Sequence, residues 1–210
     1  MKYVDMDKIY RTVPPDQIPW NSQDPPDALV ELAESGTLKP CRTVDLGCGA
    51  GNYAIYLAGL GFDVTGVDSS QAAISLARKN AQARGARCRF IVADLLGDLH
   101  ELRETFDFGF DWEFLHHIFP EDRETYMKNV AGLLSPGAVY FSVCFSEDDP
   151  QFGGTGKFRQ TRMGTTLYFS SEPELRDLFL PYFFIKELST IGFSGRYGPH
   201  RAVRVLAERR

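Results

Sequence analysis

Asp45, Gly47, Gly49, Gly51 and Asp68 are the residues whose types and spacing most directly imply chemistry. Glycines at alternate positions expose backbone N–H groups with almost no side-chain bulk, so a ligand can approach the main chain and the loop can adopt positive φ. Thr43-Val44-Asp45-Leu46 before them reads as the end of a buried strand, and Asn52 to Ala58 after them as the start of a helix. Asp68 ends a second strand, Phe62–Asp68, about 20 residues past the loop, where an α/β nucleotide site holds ribose hydroxyls. The pattern is that of a nucleoside site. A pyrophosphate would require the third glycine one place later, where this chain has Asn52, and it would be repelled by Asp45. An ammonium or a sulfonium would be attracted by the same acid.

The sequence carries further signatures in order: Val92-Ala93-Asp94 at a third strand end, Phe106-Asp107 in a fourth strand, and Leu134-Ser135-Pro136-Gly137 before a fifth. With Asp45-x-Gly47-x-Gly49-x-Gly51 and Asp68, they resemble the class I S-adenosylmethionine-dependent methyltransferases over roughly residues 40 to 145. In style the chain is similar to the thiopurine- and tellurite-resistance-like small-molecule enzymes of that superfamily. Ala138 departs from the family's usual second glycine, at a turn before a strand rather than at the site. The resemblance implies S-adenosyl-L-methionine as cofactor. Asp68, with Ser69 beside it, would take the ribose hydroxyls, and Asp94 the adenine amino group with Leu95 against the ring. Asp45 would order the glycine loop and bias the methionine end. Enzymes of this style close an N-terminal arm over the cofactor with an aromatic residue, which in Ile18-Pro19-Trp20 would be Trp20, with Tyr10 and Tyr3 contributing.

On the acceptor side, ligands in such a sheet sit at the carboxyl ends of the strands. That places Asp111 and Trp112 beside the transferring methyl and His116 and His117 about one helical turn later. Asp111 could hold the methionine amine, orient a substrate proton donor or act as base, and His116 and His117 are the other candidate bases, a histidine near neutrality being able to remove a proton during transfer; of the two histidines the resemblance favours His117. Lys157, Arg159 and Arg162 lie in a glycine-rich insertion where family members shape the acceptor pocket. Arg159 and Lys157 are therefore candidates for holding an anionic acceptor.

These residues need a frame. Strand and helix patterns alternate from residue 41 to 145: strands 41–45, 62–67, 88–93, 106–112 and 138–145, helices 52–60, 70–84 and 121–134. Such alternation implies an α/β fold with a doubly wound, mostly parallel seven-stranded Rossmann-like sheet, helices on both faces and an antiparallel last strand. Residues 1–35 read as an arm and a helix, 36–146 as the cofactor core, 147–170 as an insertion without regular structure, and 171–210 as a helix and a hairpin, all within one domain. Ser171-Glu172-Pro173-Glu174 is a capping box for the last helix, and 183–188 with 202–206 are the expected hairpin strands.

Composition narrows the function classes. The 210 residues are 43% hydrophobic and 24% charged, with net charge −5; no basic face for nucleic acid is expected. No apolar run approaches the roughly 18 residues of a membrane span, and the polar start does not resemble a signal peptide. Cys41, Cys48, Cys88 and Cys144 lack metal or disulfide spacing, so no metal is expected and the chain reads as reduced and cytoplasmic. The leading expectation is methyl transfer to a small molecule such as a thiol, a chalcogen oxyanion or a small acid; no Asn/Asp-Pro-Pro-aromatic signature of amino-group methylases follows the fourth strand. The alternatives are an S-adenosylmethionine-binding module or a protein- or RNA-methylating subunit. A nicotinamide oxidoreductase fits least, given Asp45 and Asn52. Neither the acceptor nor the oligomeric state is legible.

Overall fold

The computed structural model describes residues 4–36, 38–99, 102, 105–152, 156–196 and 198–210. In chain order the elements are α1 (Met6–Thr12), a 3-10 turn (Pro15–Gln17), α2 (Asp27–Glu34), β1 (Arg42–Leu46), α3 (Asn52–Gly59), β2 (Asp63–Asp68), α4 (Gln71–Ala83), β3 (Cys88–Val92) and β4 (Phe106–Trp112). A second 3-10 turn (Leu115–His117), α5 (Pro120–Leu133), β5 (Leu134–Phe145), β6 (Phe158–Gln160), β7 (Thr166–Tyr168), α6 (Glu172–Phe179), β8 (Phe183–Gly195) and β9 (Gly198–Arg209) follow. Seven strands form one mostly parallel sheet in the order β3-β2-β1-β4-β5-β9-β8, with β9 antiparallel to both β5 and β8. This is the doubly wound Rossmann-like architecture expected from the sequence.

By contacts the chain divides into two compact units, Met6–Gly109, and Phe110–Arg210 with Val4 and Asp5. Their boundary falls inside β4. In the first unit β1 and β2 are buried along nearly their whole length, which is why they read as continuous apolar runs rather than alternating ones. α3 and α4 pack on β2 and β3. Ser70 caps α4 by accepting from Ala73 N at 3.0 Å.

In the second unit α5 packs on β5 and α6 on β8. Two elements depart from expectation. The insertion is not without regular structure: β6 and β7 pair as a short antiparallel hairpin. The closing hairpin is also longer than the apolar runs at 183–188 and 202–206, because β8 continues through the half-exposed, Gly- and Ser-containing stretch to Gly195 after a bulge near Glu187. The expected capping box is present at Ser171 and Glu174. Among the described residues no helix is long and apolar enough to cross a membrane.

Candidate active site

The glycine loop depends first on backbone geometry. Gly47, Gly49 and Gly51 have φ of 75°, 51° and 75°, a region that L side chains avoid. Gly47 N and Cys48 N both donate to Val67 O at 2.8 and 3.0 Å, which ties the loop to β2. At Gly51 a Cβ would also lie 2.7 Å from the Phe90 ring and 2.9 Å from Ala77. Two independent constraints therefore require glycine there.

Asp68, at the end of β2, organises this loop. Its Oδ2 accepts from Gly49 N at 2.9 Å and its Oδ1 from Ser70 N at 2.8 Å. Burial raises its carboxyl pKa above the ordinary value, opposed by those two N–H donors. Asp45 is buried at 3% exposure. α3 begins at Gly51 with no side-chain cap, and an uncapped helix start leaves N–H donors for an anionic or polar ligand group. Asn52, buried in that first turn, donates to Asn21 Oδ1 at 2.8 Å. Ser69 is exposed, Leu95 is buried, and Asp94 turns its Oδ1 back to accept from Leu96 N at 2.9 Å.

The N-terminal arm sits on this loop. Asp7 Oδ1 accepts from Ser70 Oγ at 2.9 Å and from Ala72 N at 2.8 Å, so α1 is latched to the start of α4. The Tyr10 hydroxyl accepts from Trp20 Nε1 at 3.0 Å and occupies the space into which a side chain at residue 49 would grow. Burial, with Asp68 nearby, pushes the Tyr10 hydroxyl pKa well up. The structure thus brings together Trp20, Tyr10, Gly49 and Asp68; Tyr3 lies outside the described residues.

In the other unit the candidate acceptor residues separate. Asp111 is fully buried and accepts from Leu115 N at 3.3 Å, from Tyr126 Oη at 3.4 Å and from Tyr140 Oη. Burial pushes its carboxyl pKa up to about 6. It anchors core tyrosines of α5 and β5. The His116 ring stacks on Phe145 with centroids 4.4 Å apart, and its Nδ1 faces Phe145 N at 3.5 Å; burial holds its pKa well below the usual value. The His117 ring lies 4.7 Å from that of His116, and burial lowers its pKa to about 4. Arg123 holds this turn by donating to Ile118 O at 2.9 Å, Leu115 O at 3.3 Å and Ser170 Oγ at 2.8 Å.

Two of the insertion's cations, Arg159 and Lys157, are engaged within their own unit. Arg159, 6% exposed, donates to the carbonyls of Glu147, Asp149, Gln151 and Gly156 and lies 4.2 Å over the Phe169 ring. Lys157 pairs with Glu147 at 3.0 Å and with Glu174. Arg159 closes the loop that carries it, because a guanidinium in so dry a place must satisfy its donors locally. A local sequence reading treats such cations as free, since their carbonyl partners bear no sequence mark.

Sequence reasoning missed an aromatic cluster at the end of β5. Phe145 packs against Phe152, Phe169, Phe193 and His200 at centroid distances of 5.6, 5.4, 6.3 and 4.9 Å. Trp112 meets Phe193 edge-on at 5.5 Å. Beside these rings, His200 Nδ1 bonds Asp149 Oδ2 at 3.0 Å. Glu113 follows β4 with φ of 59°, and burial pushes its pKa up to about 7, with His200 opposing and Asp149 adding to the shift. A polar residue held in the left-handed region directly after β4 is the one signal that could have been sought, but φ is not written in a sequence.

The profile of the family described as methyltransferase domain matches residues 43–137. A solved structure from work on the conversion of a disulfide bond into a thioacetal group during echinomycin biosynthesis is 30% identical, covers 97% of this chain and 90% of that one, and superposes with a TM-score of 0.81. The chain belongs to the S-adenosylmethionine-dependent methyltransferases. The 2-heptyl-1-hydroxyquinolin-4(1H)-one methyltransferase of Mycobacteroides abscessus is 29% identical to this methyltransferase over 86% of its length and 76% of the relative's. In fold it also resembles the 1,6-didemethyltoxoflavin-N1-methyltransferase of Burkholderia thailandensis, solved with its acceptor and S-adenosylhomocysteine bound, with 21% identity, a TM-score of 0.76 and coverage of 98% and 85%. The positive-φ glycines, Asp68 and the uncapped start of α3 suit S-adenosylmethionine, the cofactor of the family, because they combine a backbone without side-chain bulk, the first-turn donors of a helix and a carboxylate rather than a pyrophosphate cradle.

Proposed function

We propose that this methyltransferase methylates a small, planar, largely apolar acceptor through an ionisable oxygen or nitrogen. The observation that carries the reading is the aromatic cluster around Phe145, with Glu113 and the His200–Asp149 pair at its side. Flat aromatic walls recognise flat ligands by stacking, about 0.5–1.5 kcal/mol per pair beyond area burial. The hydroxyquinolone and didemethyltoxoflavin in the names of two related proteins have that character. The internal pairing of Lys157 and Arg159 argues against a chalcogen oxyanion or small acid as the preferred acceptor. A thiol is the second reading, favoured by the thioacetal chemistry associated with the 30% identical structure.

S-adenosylmethionine, when bound, supplies a methyl already activated on a sulfonium. For the protein's own part, Asp68 holds the ribose hydroxyls, with Ser69 at its edge. The Gly47–Gly51 loop and Asp45 hold the methionine portion, and Asp94 and Leu95 the adenine. Trp20 and Tyr10 cover the loop and exclude water. Trp112 and the Phe145 cluster hold the acceptor plane. Positioning of this kind contributes about 7–11 kcal/mol, against about 3–5 kcal/mol for a proton-accepting group, so the enzyme depends first on its walls and loop. The four cysteines are free thiols, which suits a reducing, cytoplasmic setting.

The test is release of S-adenosylhomocysteine with 2-heptyl-1-hydroxyquinolin-4(1H)-one, 2-naphthol, thiophenol and tellurite as acceptors. Turnover of the first two above tellurite is expected. Thiophenol alone being methylated would transfer the assignment to the thiol reading, and tellurite alone would sink both.

A further inference from the structure

His200, Asp149 and Glu113 come from the start of β9, the loop after β5 and the residue after β4, yet they converge beside the aromatic cluster. Asp149 is itself rigidly placed: its Oδ1 accepts from Gln151 N at 2.7 Å and its Oδ2 from Arg201 N at 2.6 Å. A carboxylate fixed in this way and bonded to Nδ1 selects the imidazole tautomer that carries its proton there, leaving the Nε2 lone pair to accept. Among the described residues Nε2 has no hydrogen-bond partner. The Cδ2–Nε2 edge of the ring lies against the bare backbone of Gly195, where a Cβ would fall 2.6 Å from Nε2, so only glycine leaves that edge room, and 9% of the imidazole side chain is exposed. Glu113 takes a left-handed φ of 59°, a strained arrangement for a non-glycine residue that gathers at functional sites. Among the described residues its carboxylate accepts no hydrogen bond.

We propose that His200 is the catalytic proton acceptor of this methyltransferase, oriented by Asp149 as a positioning residue and with Glu113 as a second carboxylate facing the imidazolium it becomes. The proposal rests on the reading of an ionisable planar acceptor given above. As the bond from the acceptor oxygen or nitrogen to the methyl carbon forms, the methyl–sulfur bond breaks and its electron pair returns to sulfur. The acceptor's O–H or N–H bond breaks, its pair stays on the acceptor atom, and the proton passes to His200 Nε2 and later to solvent. The imidazolium keeps its Nδ1–H bond to Asp149. The charged or titratable groups facing His200 are Asp149, Glu113 and His116. At His116 and His117, the candidates from sequence, burial lowers the pKa.

The first measurement is 15N NMR of histidine-labelled protein without acceptor, with the His200 signal assigned through His200→Gln. A neutral ring protonated at Nδ1 at about pH 8, redistributed in Asp149→Asn, is expected. A proton on Nε2 in the wild type, or a ring that stays charged at that pH, overturns the proposal. The second compares acceptors of different acidity. His200→Gln should lose kcat/KM at least tenfold more with 2-naphthol than with thiophenol, which is already ionised, and the 2-naphthol loss should shrink as pH rises. Asp149→Asn should lower kcat with little change in KM. Equal losses with both acceptors would mark His200 as structural and overturn the proposal alone. No methyl transfer by the wild type to any of these acceptors would sink the acceptor reading and the proposal with it. Calorimetric binding of S-adenosylmethionine by each variant separates these outcomes from misfolding.

Discussion

In the unit Met6–Gly109 the candidate ligand groups are the glycine backbone, the uncapped start of α3 and one carboxylate. Asp68 takes Gly49 N and Ser70 N, and everything it organises lies within a few residues of the glycine loop or on the arm. In the unit Phe110–Arg210 the corresponding groups are side chains from distant segments, Trp112, Phe145, Asp149, Phe193 and His200, linked by ring contacts and one His–Asp bond. A backbone arrangement of the first kind is insensitive to side-chain substitution, whereas one of the second kind can be recast one side chain at a time, which is how a shared fold accepts different substrates.

The comparison breaks most readily at Asp68. Asp68→Ala removes a carboxylate worth about 1.5–3 kcal/mol for each charge-assisted bond, so S-adenosylmethionine affinity should fall at least about 100-fold by calorimetry. The His200 tautomer should be unchanged in that variant; loss of both would mean that the two units do not hold their groups separately.

Arg159→Met comes next. It leaves the carbonyls of Glu147, Asp149, Gln151 and Gly156 without their donor. An unfolding loss of about 2–4 kcal/mol in urea is expected, with cofactor affinity retained. A normal urea midpoint with impaired acceptor binding would instead restore Arg159 as an acceptor ligand.

Glu113 sharpens the contrast through pH. Its folded pKa of about 7 exceeds the ordinary 4.5, so between those values the folded chain keeps a proton that the unfolded chain releases. The associated stability is fully present below the lower value and is lost as pH rises through the upper one. Relative to Glu113→Gln, the wild type should lose about 1–2 kcal/mol between about pH 5 and pH 8, allowing for solvent screening at this half-buried site. An unchanged difference across that range would remove the case for a desolvated carboxylate.

The smallest effect is expected at Tyr10→Phe. Deleting the hydroxyl that accepts from Trp20 Nε1 should cost about 1 kcal/mol and shift Trp20 fluorescence, with no change in acceptor preference.

The glycine loop, the acid at the end of β2 and the alternation of strands and helices were legible because each depends on residues close in sequence: positive φ needs glycine, and buried parallel strands need apolar runs. The insertion hairpin and the far halves of β8 and β9 were not, since their pairing comes from long-range hydrogen bonds between stretches without strong propensity. Asp111, read as a site residue by its place at the end of β4, faces Tyr126 and Tyr140, and a strand sequence alone does not say which neighbours fill the space on each side. By itself, then, the sequence determined the fold class, the cofactor and the positive-φ glycine loop with its carboxylate. The tertiary structure decided which cations are engaged at home, which carboxylate is desolvated and which histidine a carboxylate orients, because burial and the pairing of remote side chains exist only once the chain has closed on itself.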